Sequence, residues 1–250
     1  MLDQIIQSTR NRLDRCGVVA EGEGPPRRGF GDALARSGLQ VIAEIKRKSP
    51  SRGELNMTMD PSEQAQLYAA GGAGAISVLT EPDYFGGSLD DLANVRRAVS
   101  LPVLRKDFII DPRQVAESRI VGADALLLIV AGLDRGLLRE LLAECNIVGI
   151  EALVEAHSEE EAATAAACGA RIIGVNNRDL STFETDLAVA ERVAPTLPSN
   201  RILVGESGIS SPQGAARMAA AGYDAILVGE ALVTAADPAG LIQTLRTASP

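Results

Sequence analysis

The stretch Val41-Ile42-Ala43-Glu44-Ile45-Lys46-Arg47-Lys48-Ser49-Pro50-Ser51 has the pattern of a buried strand that runs directly into a concentration of charge. Successive side chains of a strand alternate between its two faces, so Glu44 and Lys46 share one face. Because ionised groups inside an apolar strand are rare without a partner or a role, this pattern favours a functional interpretation of the pair. For Arg47 and Lys48, a solvated charge run is an equally good interpretation.

Apolar runs of strand length recur along the chain and alternate with helical stretches. In four places an Ala-rich helix end and a glycine precede the run, and such a glycine suits the left-handed conformation that closes a helix. The predicted strands are residues 41–45, 75–79, 103–104, 125–128, 148–154, 172–175, 202–204 and 225–228. The predicted helices are residues 61–70, 89–99, 112–121, 134–145, 158–168, 187–193 and 212–221. This alternation predicts a parallel sheet with right-handed crossovers.

The polar residues at the strand ends distinguish a closed barrel from an open sheet. They are Glu44, Lys46, Lys106, Glu155, Asn176, Glu206 and Ser207. In a closed barrel these ends converge on one rim, whereas in an open sheet they would lie along an edge. The sequence therefore predicts a single α/β domain over residues 1–250, a (β/α)8 TIM barrel with an extra N-terminal helix. Residues 1–40, with apolar Leu2, Ile5, Ile6 and Leu13, form the helix and loop extension that caps it.

Composition and charge disfavour several classes of function. The chain is 46% hydrophobic and 3% aromatic, and its net charge of -9 disfavours nucleic acid as a partner while leaving room for a small anionic ligand. Three cysteines without a CxxC pair argue against a disulfide framework or a thiolate metal site. The apolar run of residues 125–133 is too short to span a bilayer. We expect a cytoplasmic enzyme with no membrane partner, as a monomer or a weak oligomer.

Lysine and glutamate at the strand ends suit acid–base chemistry. Lys106 is flanked by Asp107 and Phe108, where desolvation is expected to lower the pKa of the lysine and make it a general acid. A Schiff-base role and a Lys106–Asp107 surface pair are the alternatives. Glu155 is expected to project into the same rim as a general base. His157, the single histidine, is interpreted as a loop or helix-cap residue rather than a metal ligand or a base.

The last three strand ends suit an anionic, hydroxylated ligand. Asn176 and Arg178 offer amide and guanidinium groups for hydroxyls and a carboxylate, although turn chemistry and an Arg178–Asp179 pair are the structural alternatives. Gly208 and Gly229 follow the seventh and eighth strands, where barrel loops commonly bind phosphate through backbone N–H groups.

These segments resemble the indole-3-glycerol phosphate synthase family of the ribulose-phosphate-binding barrel group. The resemblance is carried, in the family's order, by residues 42–51, 77–81, 104–108, 126–130, 175–180 and 205–209. It implies a lyase of tryptophan biosynthesis that closes 1-(2-carboxyphenylamino)-1-deoxyribulose 5-phosphate to an indole, with loss of carbon dioxide and water. It implies no cofactor and no metal.

The resemblance also implies roles for individual residues. Lys106 is the general acid for the ketone oxygen, Lys46 holds the substrate carboxylate and protonates the departing hydroxyl, and Glu155 is the final base. Further catalytic residues are Glu44, Asn176, Glu206 and Ser207. Substrate-binding residues are Ser49, Leu79, Phe85, Phe108, Leu127, Arg178 and Leu180. Phosphate-binding residues are Gly208, Gly229 and Glu230.

The sequence departs from the family pattern in two places. Glu230 stands where many relatives have a small hydroxyl residue, so its carboxylate would repel phosphate unless it points outward. The region before Gly38 matches weakly. Other readings of the same residues are a phosphate-binding barrel isomerase, a Schiff-base aldolase, or a non-catalytic sensor of a phosphorylated ligand.

Overall fold

The computed structural model describes residues 1–16, 22–50, 52–179 and 182–248. Eight parallel strands close into a barrel in the order β1-β10-β9-β8-β7-β6-β5-β4, and β4 pairs with β1. They are β1 (Gln40–Ile45), β4 (Ala75–Leu79), β5 (Val103–Lys106), β6 (Ala125–Ile129), β7 (Glu151–Ala156), β8 (Ile172–Asn176), β9 (Ile202–Glu206) and β10 (Ala225–Val228). A hairpin of β2 (Lys48–Ser49) and β3 (Gly53–Glu54) follows β1. The predicted (β/α)8 barrel is confirmed.

The helices surround the barrel and begin at conventional capping residues. They are α1 (Leu2–Cys16), α2 (Phe30–Leu34), α3 (Pro61–Ala70), α4 (Pro82–Phe85), α5 (Leu89–Ala98), α6 (Pro112–Val121), α7 (Arg135–Val148), α8 (Glu159–Ala167), α9 (Ala188–Val193), α10 (Pro212–Ala220), α11 (Glu230–Val233) and α12 (Pro238–Arg246). Asp or Ser side chains accept hydrogen bonds from first-turn N–H groups of most of these helices, as Asp60 does for α3 and Ser158 for α8. Among the described residues, none of the helices is both long and apolar enough to cross a membrane.

The structure differs from the prediction at the start of one strand and in having a further C-terminal helix. The strand expected from residue 148 begins at Glu151, because α7 continues to Val148 and Gly149, with φ +69°, ends that helix. The apolar run therefore straddles a helix end and a strand start. The helix Pro238–Arg246 was not predicted, although Asp237 caps it and Pro238 opens it. It completes the eighth strand–helix unit and contacts α3 and β1.

The first forty residues contact both ends of the barrel. At the carboxyl ends of the strands, Met1 and, from α1, Leu2 and Ile5 line the central pocket. At the opposite end, Phe30 and Leu34 of α2 are fully buried. They join a barrel-interior cluster whose other fully buried members are Ile42, Ala75, Leu104, Ala125, Leu153, Val204 and Ala225. The chain thus places one apolar segment at the mouth of the barrel and another in its floor.

Candidate active site

One pocket of about 750 Å³ opens at the carboxyl ends of the barrel strands. Every predicted site residue that the structure describes lines it. These are Glu44, Lys46, Ser49, Leu79, Phe85, Lys106, Phe108, Leu127, Glu155, Asn176, Arg178, Glu206, Ser207, Gly208, Gly229 and Glu230. Leu180 lies outside the described residues. Residues far apart in the sequence are brought together because every strand ends at the same rim.

Lys106 lies at the centre of a buried charge cluster. Its Nζ is 3.0 Å from Oε2 of Glu155 and 3.4 Å from Oε2 of Glu206. Burial alone would lower the pKa of Lys106, but the surrounding carboxylates, Glu155 first, outweigh burial and raise it. The expected lowering of this pKa is therefore wrong, because that prediction considered burial alone and not the charges of the glutamates at the same rim. The alternative Lys106–Asp107 pair does not form, since Asp107 accepts from Thr80 and Arg105 instead.

The two carboxyl groups around Lys106 have opposite pKa shifts. Burial opposes ionisation of Glu155, but Lys106 and His157 together hold the pKa of Glu155 well below its usual range. Burial raises the pKa of Glu206 to about 8, with Glu155 adding to the shift and Lys106 opposing it. A side chain at Gly174 would exclude this arrangement, because its Cβ would lie 2.1 Å from Oε1 of Glu206. Near neutral pH, Glu155 is the charged group and Glu206 the protonated one.

Glu44 and Lys46 form a second pair beside the first. Nζ of Lys46 lies 2.7 Å from Oε1 of Glu44, as expected of side chains that share a strand face. The pair is packed against Gly229, where a Cβ would lie 2.3 Å from Oε1 of Glu44. The absence of a side chain at Gly229 therefore makes room for the pair of Glu44 and Lys46.

Lysine usage is a signal of the site that sequence reasoning missed. The chain has three lysines, Lys46, Lys48 and Lys106, among 24 basic residues, and two of the three line the pocket. The lysine ammonium can give up its proton, whereas the guanidinium of arginine stays protonated, so of these two basic residue types only lysine can act as a proton donor. The third, Lys48, donates to the backbone oxygen of Asp83 at 2.8 Å.

The charges that follow Lys46 anchor the loop after β1 instead of lining the pocket. Arg47 forms a two-point ion pair with Asp91, with Nη1–Oδ2 2.5 Å and Nη2–Oδ1 3.0 Å. The hydrogen bond to Asp91 raises the pKa of Arg47. Of the two interpretations left open by the sequence, a structural role describes Arg47 and Lys48.

The turn after β9 forms one wall of the pocket in an unusual backbone conformation. Ser207 and Gly208 have φ angles of +62° and +75°. A non-glycine residue in the left-handed region costs about 1–3 kcal/mol unless its surroundings enforce it. The buried side chain of Asn177 does so, because its Nδ2 donates to the backbone oxygens of Glu206 at 2.9 Å and Ser207 at 3.2 Å. Asn177 was not predicted as a site residue, and its position holds this turn in place.

Glu230 lies at the start of α11, on the opposite wall of the same end. Its Oε1 is 3.0 Å from Nε of Arg52, in the loop after β1. The carboxylate therefore neither points away from the pocket nor remains uncompensated, because Arg52 offsets its charge. The expected repulsion is reduced by a residue that sequence reasoning did not identify.

The other end of the pocket is apolar. The rings of Phe85 and Phe108 lie 6.2 Å apart between centroids, at 33° to each other. Leu79 and Leu127 line the pocket with them. Phe183 also lines the pocket and was not predicted, although it is an aromatic residue in the same loop as Arg178. A flat aromatic ligand fits a wall of this kind.

Asn176 links the charge cluster to the loop after β8. Its Nδ2 donates to Oε1 of Glu155 at 3.2 Å, and its Oδ1 accepts from the backbone N–H of Arg178 at 3.0 Å. The guanidinium of Arg178 donates to the backbone oxygen of Phe183 at 3.4 Å. The side-chain amide thus has a defined orientation, with its N–H group directed toward the carboxylate.

Comparisons with known proteins place this chain among enzymes. A family model described as indole-3-glycerol phosphate synthase matches residues 3–245. The indole-3-glycerol phosphate synthase of Mycolicibacterium smegmatis is 51% identical over 256 residues, which cover 99% of this chain and 94% of the relative. That of Mycolicibacterium vanbaalenii is 55% identical over 216 residues, covering 86% of this chain and 79% of the relative.

Solved structures of lower identity share the architecture. Thiamine phosphate pyrophosphorylase from Pyrococcus furiosus superposes with a TM-score of 0.63 at 17% identity, covering 87% of this chain and 96% of that one. The N-acetylmannosamine-6-phosphate 2-epimerase from Clostridium perfringens superposes with a TM-score of 0.64 at 14% identity, covering 84% and 93%. At these identities the likeness shows the fold alone.

Proposed function

The chain belongs to the indole-3-glycerol phosphate synthase family, and from this premise we propose how its pocket closes the indole ring. The function is synthesis of indole-3-glycerol phosphate in tryptophan biosynthesis, a carboxy-lyase reaction on a phosphorylated small molecule. The substrate we propose is 1-(2-carboxyphenylamino)-1-deoxyribulose 5-phosphate. The roles of individual residues below are part of the proposal.

The reaction requires two protonations and one deprotonation. The ring carbon that bears the carboxylate attacks the ketone carbon, and the ketone oxygen takes up a proton to become a hydroxyl. Loss of carbon dioxide returns the bonding electrons to the ring. The hydroxyl then leaves as water after a second protonation, and a proton lost from the adjacent methylene carbon completes the indole. One proton is consumed per turnover, so the pocket needs acids and a base.

Lys106 is the acid for ring closure. The carboxylate of Glu155, 3.0 Å from its Nζ, keeps it protonated in the resting site, and an ammonium group is a proton donor rather than a nucleophile. This charge state supports general acid catalysis over a Schiff base. When the substrate ketone enters, Lys106 turns from Glu155 to the ketone oxygen and stabilises the charge that develops there.

Lys46 and Glu155 complete the chemistry. Lys46 binds the substrate carboxylate and protonates the departing hydroxyl, while Glu44, 2.7 Å from its Nζ, orients it. Glu155 removes the final proton, with Asn176 holding its Oε1 and the substrate hydroxyl. Once Lys106 has moved to the substrate, Glu155 loses one positive neighbour and becomes a stronger base.

The two ends of the pocket orient the substrate between these groups. Backbone N–H groups near Gly208 and Gly229 hold the phosphate end, and Glu206 and Ser207 orient the substrate next to Lys106. The anthranilate ring lies against Phe85 and the other apolar lining residues, Leu79, Phe108 and Leu127. Fixing both ends brings the ring carbon close to the ketone. Much of the entropy that ring closure would otherwise lose is therefore already lost when the substrate binds. Ser49 and Arg178 are proposed to bind the substrate between the two ends.

We also propose that residues 1–250 form one catalytic domain with residues 1–40 as its cap. The positions of Met1 and Leu2 at the pocket and of Phe30 in the barrel floor support this.

The observation that carries the proposal is the convergence of Lys46, Lys106 and Glu155 on a pocket with one apolar end and one glycine-rich end. Conversion of the substrate to an indole tests it. The chain contains no tryptophan, so indole fluorescence from the product appears against a background of tyrosine alone. We expect indole fluorescence to rise with release of carbon dioxide, whereas binding without turnover would favour a sensor.

Replacing Arg52 is expected to weaken substrate binding. In Arg52→Ala, the carboxylate of Glu230 loses its partner at 3.0 Å and repels the phosphate, so KM should rise about three- to tenfold with little change in kcat. The effect should shrink in high salt, because the pair is partly exposed. In the double variant Arg52→Ala/Glu230→Gln the repulsion is absent, and KM should return toward the original value. A double variant no better than the single one would contradict this account.

The ionisation of Glu206 is expected to set the alkaline limb of the pH profile. Its pKa, raised to about 8 by burial and by Glu155, keeps it neutral below that pH. Above that pH it adds a negative charge to a pocket that binds an anionic substrate, so kcat/KM should fall by up to about tenfold per pH unit. Glu206→Gln removes this titration, and its profile should stay flat over the same range. A fall of the same size in that variant would show that another group controls the limb.

A further inference from the structure

On the side away from the pocket, Glu155 is contacted by His157, the chain's only histidine. His157 follows β7 directly, and its imidazole turns back so that Nε2 lies 3.3 Å from Oε1 of Glu155. Its side chain is 11% exposed, and it is not among the described residues that line the pocket. The imidazole therefore contacts the base without reaching the substrate.

Glu161 holds the other side of the imidazole. Its Oε2 lies 3.3 Å from Nδ1 of His157 and accepts the backbone N–H of the same residue at 2.8 Å. The backbone N–H of Glu161 donates to Oγ of Ser158, the N-cap of α8. The predicted helix-cap role thus describes the backbone of His157, while its side chain bridges two carboxylates.

The charges around this bridge are balanced. Burial disfavours the imidazolium, but the carboxylates of Glu155 and Glu161, each 3.3 Å from one ring nitrogen, outweigh burial and raise the pKa of His157 to about 10. The turn Val130–Gly132, which packs on β7 and α8, carries no ionisable side chain. From the neighbouring strands, Glu155 itself faces Lys106 and Glu206, with Glu44 beyond them. Lys106 and His157 are therefore the two cations that act on Glu155.

We propose that His157, braced by Glu161, is a positioning residue for Glu155: it holds the carboxylate toward the pocket and remains as its cationic partner when Lys106 turns to the substrate. This inference rests on the role proposed above for Glu155. Without the imidazole, a carboxylate that is only 3% exposed would be left in the middle of the reaction without a cationic partner, with only the neutral amide of Asn176 as a hydrogen-bond donor. Such a group takes up a proton and is then no longer a base.

Three substitutions at His157 separate positioning from packing. The side-chain amide of Gln places a donor near the position of Nε2, that of Asn places one near Nδ1, and Leu has neither. We expect kcat to fall about tenfold in His157→Leu and His157→Asn but at most about threefold in His157→Gln, with KM within about twofold of wild type in all three. The acid limb of the kcat profile should move to higher pH in the Leu variant. Equal kcat in all four proteins, or an order that follows Tm alone, would overturn the inference.

The single histidine allows a direct second measurement on the intact protein. With 13C-labelled histidine, one imidazole resonance reports the titration of His157. The pKa of His157 measured in this way should lie well above the ordinary value of 6.5, and it should be lower in Glu161→Gln. The Glu161→Gln variant also tests the inference if His157→Leu does not fold. A pKa of His157 near 6.5 in both wild type and Glu161→Gln would contradict the proposed contacts of His157 with Glu155 and Glu161.

The two proposals fail differently. If Glu155→Gln retains full kcat, then the role of Glu155 is wrong and this inference falls with it. If Glu155→Gln is inactive while all His157 variants keep wild-type kcat and pH profiles, then only the inference about His157 is wrong.

Discussion

Lys106→Met is expected to lower kcat by about three orders of magnitude while KM changes by less than about tenfold. Methionine removes the proton donor for ring closure and leaves a side chain of similar length. It also removes the cation shared by Glu155 and Glu206, so both carboxyl groups bind protons more tightly. Product formation is measured by indole fluorescence in a single turnover, so that slow product release does not mask the chemical step.

The matched control for this variant is Lys48→Met. Lys48 is the one lysine outside the pocket, and its Nζ donates only to the backbone oxygen of Asp83 among the hydrogen bonds described. Its replacement should leave kcat within about twofold. Unchanged turnover in Lys106→Met would remove this residue from the mechanism. Borohydride trapping of a substrate adduct on Lys106 would instead favour the Schiff-base alternative.

Glu155→Gln is expected to lower the rate of indole formation by about two to three orders of magnitude. Because the proposed base acts only in the final deprotonation, ring closure and decarboxylation precede its step. In Glu155→Gln, carbon dioxide should therefore be released in the first turnover before indole fluorescence appears. In Lys106→Met no such delay is expected, because both products are blocked together. Measuring the two products in one quenched-flow experiment distinguishes these cases.

A surface glutamate provides the control for Glu155→Gln. Glu191 is partly exposed, pairs with Arg217 at 2.8 Å and is not among the described residues that line the pocket. Glu191→Gln should leave both rates unchanged, since exposed ion pairs contribute little. Parallel loss of carbon dioxide release and indole formation in Glu155→Gln would place this residue before decarboxylation and contradict the assignment.

The fold was predictable from sequence because its signals are local. Alternation in residues 41–46 identified a strand with Glu44 and Lys46 on one face, and each of the four helix ends predicted from a glycine has one with positive φ, namely Gly72, Gly122, Gly169 and Gly222. The strand expected from residue 148 was placed too early because apolarity is continuous across Gly149. A glycine was used to predict helix ends elsewhere in the chain, and applying the same signal to Gly149 would have corrected the boundary.

The members of the site were predictable, but their electrostatics were not. A closed barrel collects strand ends whatever the register, so Lys106 and Glu155 were expected at one rim. Which groups come within 3–4 Å depends on tertiary packing, and the pKa direction of Lys106 followed from the number of carboxylates around it. His157 was set aside because it lacked a metal-ligand partner. It lies two residues after Glu155, and the alternation that paired Glu44 with Lys46 would have placed it on the same face.

The burial of Phe30 in the barrel floor has a consequence for how the chain reaches its native state. Phe30 precedes every strand of the barrel in the chain, yet the cluster that it joins spans the barrel from Ile42 to Ala225. The closed barrel around it requires β10 to pair with β1, so all eight strands must be synthesised before this cluster is complete. Insertion of Phe30 is therefore expected to be a late event of maturation, and until then the nascent segment carries an apolar side chain that a chaperone can recognise.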